Sequence, residues 1–243
     1  MWSDTSECQF KCYNSNNNLN DKQNVFVYSF ESETNNLNER MRFNGKFKLK
    51  RQQNSCDFLL KIDEINGLND NQLKNDLIEN QIRFGYEQGN LLGLCSSNQD
   101  SVESLNIKRA LLSAIQTNQQ QTQLNETDSN GDCMTSYSLL NKRYSKLTIQ
   151  KTKQLSSCSN RQSIVGPIKF LAAKHYDLKL SNQMMLAPIL NEQMECVQII
   201  DKNVVESTEC KEKQTFVSAE KVQSKLKLKL IQTQNEVQND KSV

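Results

Sequence analysis

Near the end of the chain, Leu226, Leu228 and Leu230 alternate strictly with Lys225, Lys227 and Lys229. This two-residue period limits the fold more than any other feature. Only an extended strand sends successive side chains to opposite faces. The lysines then read as the solvated face of a strand rather than a basic patch. The same alternation recurs upstream. In residues 25–30, Val25, Val27 and Ser29 share one face, and Phe26, Tyr28 and Phe30 the other. In residues 41–50, Met41, Phe43, Phe47 and Leu49 alternate with Arg42, Asn44, Lys48 and Lys50. Strands are further expected at 58–62, 135–140, 146–151, 164–171, 195–200, 204–210 and 222–231. Residues 81–86 and 90–94 form a hairpin about Glu87-Gln88-Gly89.

One interval breaks the pattern. Ser101 can cap a helix with Glu103 in its first turn, and the helix runs to Gln116. Leu105, Leu112 and Ile115 make one stripe, and Ile107, Leu111 and Ala114 a second. Together they cover more than half the circumference, so the helix should be enclosed. Residues 117–132 read as a loop, and 176–192, with Pro188, fit no single element. About ten strands around one buried helix define a mainly β chain, an antiparallel barrel-like sheet. Breaks between elements are short, so residues 1–243 read as one domain.

Composition removes several classes. A net charge of +2 lacks the clustered basic excess of a nucleic-acid binder. The 53 Asn and Gln residues sit in surface-like stretches and read as polar loop filler. No run reaches the ~18 apolar residues of a membrane span. No nucleophile elbow, phosphate loop, zinc-protease or dinucleotide motif is present, and His175 is the sole histidine. Neither an enzyme, a cofactor nor a metal site is expected. The opening Met1-Trp2-Ser3-Asp4 has no basic or apolar leader, which fits either a cytosolic protein or a chain lacking its signal peptide. The cysteines weigh against the first. Eight of them, with no C-x-x-C pair, favour disulfides and an oxidising compartment over unpaired core thiols. Asn125-Glu126-Thr127 is a glycosylation sequon, placing a candidate glycan on Asn125.

Four stretches, read in order, carry a resemblance. They are residues 82–89, the run Leu105-Asn106-Ile107-Lys108-Arg109 with its helix, Gly131-Asp132-Cys133-Met134-Thr135 with the residues before it, and residues 149–158. Together they resemble the amino-terminal module of the large lipid transfer proteins: apolipophorin, apolipoprotein B, vitellogenin and the microsomal triglyceride transfer protein. Cys196-Val197-Gln198 and residues 210–216 look most like apolipophorin and apolipoprotein B. Ala110 stands where a Gly is common, and Val217-Ser218 where Pro-Phe-Ser is usual. Members of the family are far longer, which implies a fragment, an isolated domain or a truncated paralogue.

The resemblance implies a secreted lipid-transport protein with lipid as cargo. Its partners would be receptors of the low-density-lipoprotein type and the remaining domains of a longer chain. Vitellogenin-like yolk storage and a stand-alone truncated binding protein are the alternatives. Such receptors grip lysines, so Lys151 and Lys153, with Lys108 and Arg109, become candidate contacts; solvated charge is the plainer reading of the same residues. The family pairs cysteines matching Cys133 with Cys158 and Cys196 with Cys210. By the same resemblance Cys12 pairs with Cys56 and Cys8 with Cys95, or the two amino-terminal cysteines exchange partners.

Overall fold

A computed structural model describes residues 10, 23–35, 40–52, 56–87, 89–96, 99–119, 122–128, 131–155, 158–159, 189–216 and 221–236. The strands expected at 164–171, the ambiguous 176–188, His175, Cys8 and Cys12 lie outside these residues.

Eleven strands and two helices follow in chain order: β1 (Gln23–Asn35), β2 (Arg40–Arg51), β3 (Asp57–Asn66), α1 (Asn71–Glu79), β4 (Ile82–Glu87), β5 (Asn90–Cys95), α2 (Val102–Ile115), β6 (Gln123–Asp128), β7 (Gly131–Arg143), β8 (Lys146–Gln154), β9 (Ile189–Asp201), β10 (Val204–Phe216) and β11 (Lys221–Glu236). All pairings are antiparallel, in the order β5-β4-β3-β2-β1-β11-β10-β9-β8-β7-β6. Strands adjacent in sequence pair with each other except β5 and β6, which form the two edges, and β1 pairs with β11. The two edges, β5 and β6, approach each other. The chain passes from one edge to the other through α2, so the sheet is a nearly closed barrel.

The inward alternation is clearest in β2, where Phe43, Gly45, Phe47 and Leu49 are buried between wetter neighbours. The Tyr28 ring stacks on Phe47, its cross-strand partner, at 5.3 Å between centroids. β1 shows the expected two faces, both covered. Val25 and Val27 are buried on the face they share with Lys48 and Lys50, their β2 partners, while Tyr28 and Phe30 join the core with Phe26 packed against it. The β1–β11 shift at Val27/Tyr28 falls on Ile231 of β11, so β1 keeps its phase and its aromatic rings stay on the core face. Gly45 leaves room for them: a Cβ there would lie 2.8 Å from the Phe30 ring and 2.1 Å from the Glu64 carbonyl oxygen. Gly89 turns the β4–β5 hairpin at φ 87°.

Two elements differ from expectation. β6 occupies part of the polar stretch read as a loop, and α1 has no counterpart in that reading. Asp70 caps α1 by accepting from the Leu73 N–H at 3.0 Å, and Leu73 and Leu77 are buried. The expected helix α2 begins at its Ser101 cap, which accepts from the Ser104 N–H at 3.3 Å. Residues 104–118 are all buried except Arg109, which is half-buried.

Candidate functional site

A helix ending inside an apolar shell leaves carbonyl groups that water cannot reach. Here the inner face of the sheet supplies their partners. Lys151 of β8 donates to the carbonyls of Ser113 at 3.2 Å and Gln116 at 3.0 Å. Gln198 of β9 donates to Ala114 at 2.9 Å and Gln116 at 3.1 Å. Thr208 of β10 donates to Ala114 at 3.0 Å. The ammonium group also sits at the negative end of the helix dipole, on a helix with no basic residue in its own last turn.

A buried carboxylate faces the cations. Glu126 of β6 lies 3.0 Å from Lys151 Nζ and 2.8 Å from Lys153 Nζ, and all three side chains are 0% exposed. The Tyr137 hydroxyl donates to the same carboxylate, and the Lys151 ammonium lies 5.7 Å from the Tyr137 ring centroid. Burial alone would push the Glu126 carboxyl up. The two lysines and the two hydrogen bonds, from Lys153 and Tyr137, outweigh it and hold the pKa at about 2. The lysines therefore face an ionised carboxylate at any physiological pH.

A second buried pair ties the helices together. Lys108 of α2 meets Asp100 at 2.7 Å, both side chains 0% exposed, and donates to the Asp76 carbonyl of α1 at 3.3 Å. Burial lowers the Lys108 pKa, with Asp100 working against that shift.

The surface reading of the candidate receptor contacts is thereby corrected. Lys151, Lys153 and Lys108 are interior residues, and Arg109 is half-buried. Lys151 and Lys153 share a strand face with buried Ile149, and that face points at α2. Glu126, Tyr137, Gln198 and Thr208 escaped sequence reading. Glu126 figured only as the middle of the sequon. Yet alternation about exposed Asn125 turns it inward.

The cysteines lie as follows. Cys133 and Cys158 are joined with Cα atoms 4.3 Å apart, and Cys196 and Cys210 with Cα atoms 4.0 Å apart. The latter two are direct cross-strand partners on β9 and β10. Cys56 and Cys95 each take part in a disulfide as well.

On the outer face, β1, β9, β10 and β11 form an open groove of about 930 Å³. Val197 and Ile199 floor it, with Lys227, Lys229, Glu31 and Glu209 among its charged lining. Among the described residues no cluster of His, Cys, Asp and Glu could hold a metal ion, and no helix is long and apolar enough to cross a membrane. The inner network fixes a helix in a barrel; its lysines and carboxylate are consumed by one another and by backbone.

Comparison with known proteins places this arrangement. The lipovitellin structure solved for its lipid–protein interactions has the same fold, with a TM-score of 0.68 and 19% identity, over 90% of this chain and 26% of that one. A lipoprotein-sorting domain from Vibrio parahaemolyticus overlaps 89% of this chain and 87% of its own at 8% identity, but its TM-score of 0.26 carries no weight. No curated protein matches this chain. The fold is thus that of a module of lipovitellin. Residues 21–238 match the vitellogenin N-terminal domain, and the chain belongs to that family.

Proposed function

We propose that this chain serves lipid transport as the amino-terminal module of a secreted lipoprotein, of the apolipophorin and apolipoprotein B branch, and that residues 1–243 are one domain of a longer protein. Its own part is recognition of receptors and assembly partners rather than bulk lipid storage. The observation that supports this division of labour is the filled interior. α2, the aromatic core and the Glu126–Lys151–Lys153 network occupy the space a cargo would need. The buried disulfide Cys196–Cys210 favours an extracellular setting.

The recognition surface then falls on the outer face. Lys227 and Lys229 are exposed beside the groove, unlike Lys151 and Lys153. The test is binding of the purified chain to immobilised, calcium-loaded modules of a low-density-lipoprotein-type receptor. Binding that weakens with salt and with Lys227→Glu/Lys229→Glu is expected. In parallel, lipid retained per chain is measured after separation from vesicles. A few molecules at most are expected; dozens per chain, or no receptor binding at low salt, would overturn the reading. The lipovitellin likeness favours vitellogenin-like yolk storage as the second reading, and a truncated stand-alone binding protein is the third. Expression confined to yolk-forming tissue would select the second.

A further inference from the structure

The β7–β8 hairpin carries side chains that neither the fold nor the proposed recognition surface uses. β6 pairs with β7 only as far as Ser136, so Ser138 to Arg143 have no strand partner on that edge among the described residues. Leu139 is 59% exposed and Leu140 is 53% exposed, and Tyr144 at the turn is fully exposed. Tyr144 holds φ 52°, a conformation that bulky side chains rarely adopt. The two-residue turn between Arg143 and Lys146 sets that φ and holds the ring out at the tip of the hairpin. Residues 139–147 contain three leucines, the tyrosine and the cations Lys142, Arg143 and Lys146, with no acidic residue. Lys146 is bound by Glu206 at 2.7 Å, whereas Lys142 and Arg143 are exposed and form no ion pair with a described residue. The adjacent β9–β10 turn adds exposed Lys202 beside them.

We propose that this hairpin tip is a contact for an anionic phospholipid surface. Leu139, Leu140 and Tyr144 would seat at headgroup level, with Lys142 and Arg143 against the phosphates. Tyrosine suits that level because its ring is apolar and its hydroxyl stays wet. Cations flanking the apolar side chains match the negative potential of the surface. Strand addition from another protein fits the same edge less well. The register shift at Leu139/Asn141 breaks the regular ladder that an added strand needs, and edge cations oppose such pairing. The inference goes beyond receptor recognition and is independent of lipid cargo, because it concerns the surface the module touches, not what it carries.

The experiment uses the whole chain with vesicles of phosphatidylcholine alone and of phosphatidylcholine with phosphatidylserine. Binding to the mixed vesicles only, weakened by salt, is expected. Lys142→Glu/Arg143→Glu should weaken it at least tenfold, each cation near such a surface being worth roughly fivefold. Leu140→Asp/Tyr144→Ser should abolish it, while Lys61→Glu, on β3, should leave it unchanged. These positions are solvent-exposed, so unchanged circular dichroism and melting confirm folding. Tyr144→Trp in a Trp2→Phe background should give an emission blue shift and quenching by brominated lipid. Equal binding to neutral vesicles, or full binding by Leu140→Asp/Tyr144→Ser, would overturn the proposal. So would loss of self-association in that variant without loss of vesicle binding, which would mark the edge as a protein-docking strand.

Discussion

At the scale of single residues, Glu126 decides whether the interior is solvated by protein or left with bare charge. Its carboxyl, ordinarily titrating at 4.5, is held at about 2 by its lysine and tyrosine partners in spite of burial. A carboxylate depressed in the folded state contributes stability that is complete above the unfolded value. That stability is lost as pH falls from 4.5 toward 2. The gap corresponds to on the order of 3 kcal/mol. Urea midpoints should therefore show no Glu126-dependent change from about pH 8 to about pH 5 and fall below that. Glu126→Gln should cost about 3–5 kcal/mol at neutral pH, because two buried lysines lose a buried counter-ion. It should also remove most of the acid limb; parallel acid limbs in the two proteins would exclude Glu126 as its source. The lysines are unequal. Lys151→Met strips the α2 carbonyls as well as the carboxylate, whereas Lys153→Met leaves those carbonyls bound. Lys151→Met should be the more destabilising of the two in the same titration.

At the scale of elements, packing tolerances can be read off the strands. Gly45 faces the core at the point where Phe30 crosses it, and a methyl group there would lie 2.1 Å from the Glu64 carbonyl oxygen. Gly45→Ala should cost about 1–3 kcal/mol in thermal melts through overpacking, with exposed Asn44→Ala near neutral. The Cys196–Cys210 bond staples β9 to β10 within the core. Its removal by Cys196→Ala/Cys210→Ala should lower unfolding free energy by about 3 kcal/mol in the chain-entropy view. Elements with a strict period were legible from the sequence: β2, β11 and the enclosed α2 with its Ser101 cap. The failures have physical causes. α1 commits only Leu73 and Leu77 to the core, so its helical stripe is thin beside its polar residues. β6 offers Leu124 as its sole apolar side chain and is held by pairing with β7. A lysine normally marks the wet face, so Lys151 and Lys153 read as exposed, and only their common phase with Ile149 turns them inward.

At the scale of the whole molecule, the chain closes its sheet by bringing its first and last described strands together. β1 lies between β2 and β11, and β11 between β1 and β10. Without β11 the sheet would divide into two arms, β5 to β1 and β10 to β6, each with a new bare edge. The arms would then be joined through α2, whose C-terminal carbonyls are bound by β8, β9 and β10, through the Tyr28 hydroxyl on the Val205 carbonyl, and where β5 approaches β6. Leu226 and Leu228 would leave the core at the same time. Neither arm encloses α2 alone, so neither can offset the cost of burying Lys151 and Glu126. A chain ending before Lys221 should therefore lack a cooperative unfolding transition and aggregate through its exposed edges. Adding residues 221–243 as a separate peptide should restore soluble, protease-resistant protein if the missing strand is the whole defect. A truncated chain that still melts cooperatively would show that the β5–β1 arm folds around its own core, and that β1–β11 pairing completes the barrel rather than forming it.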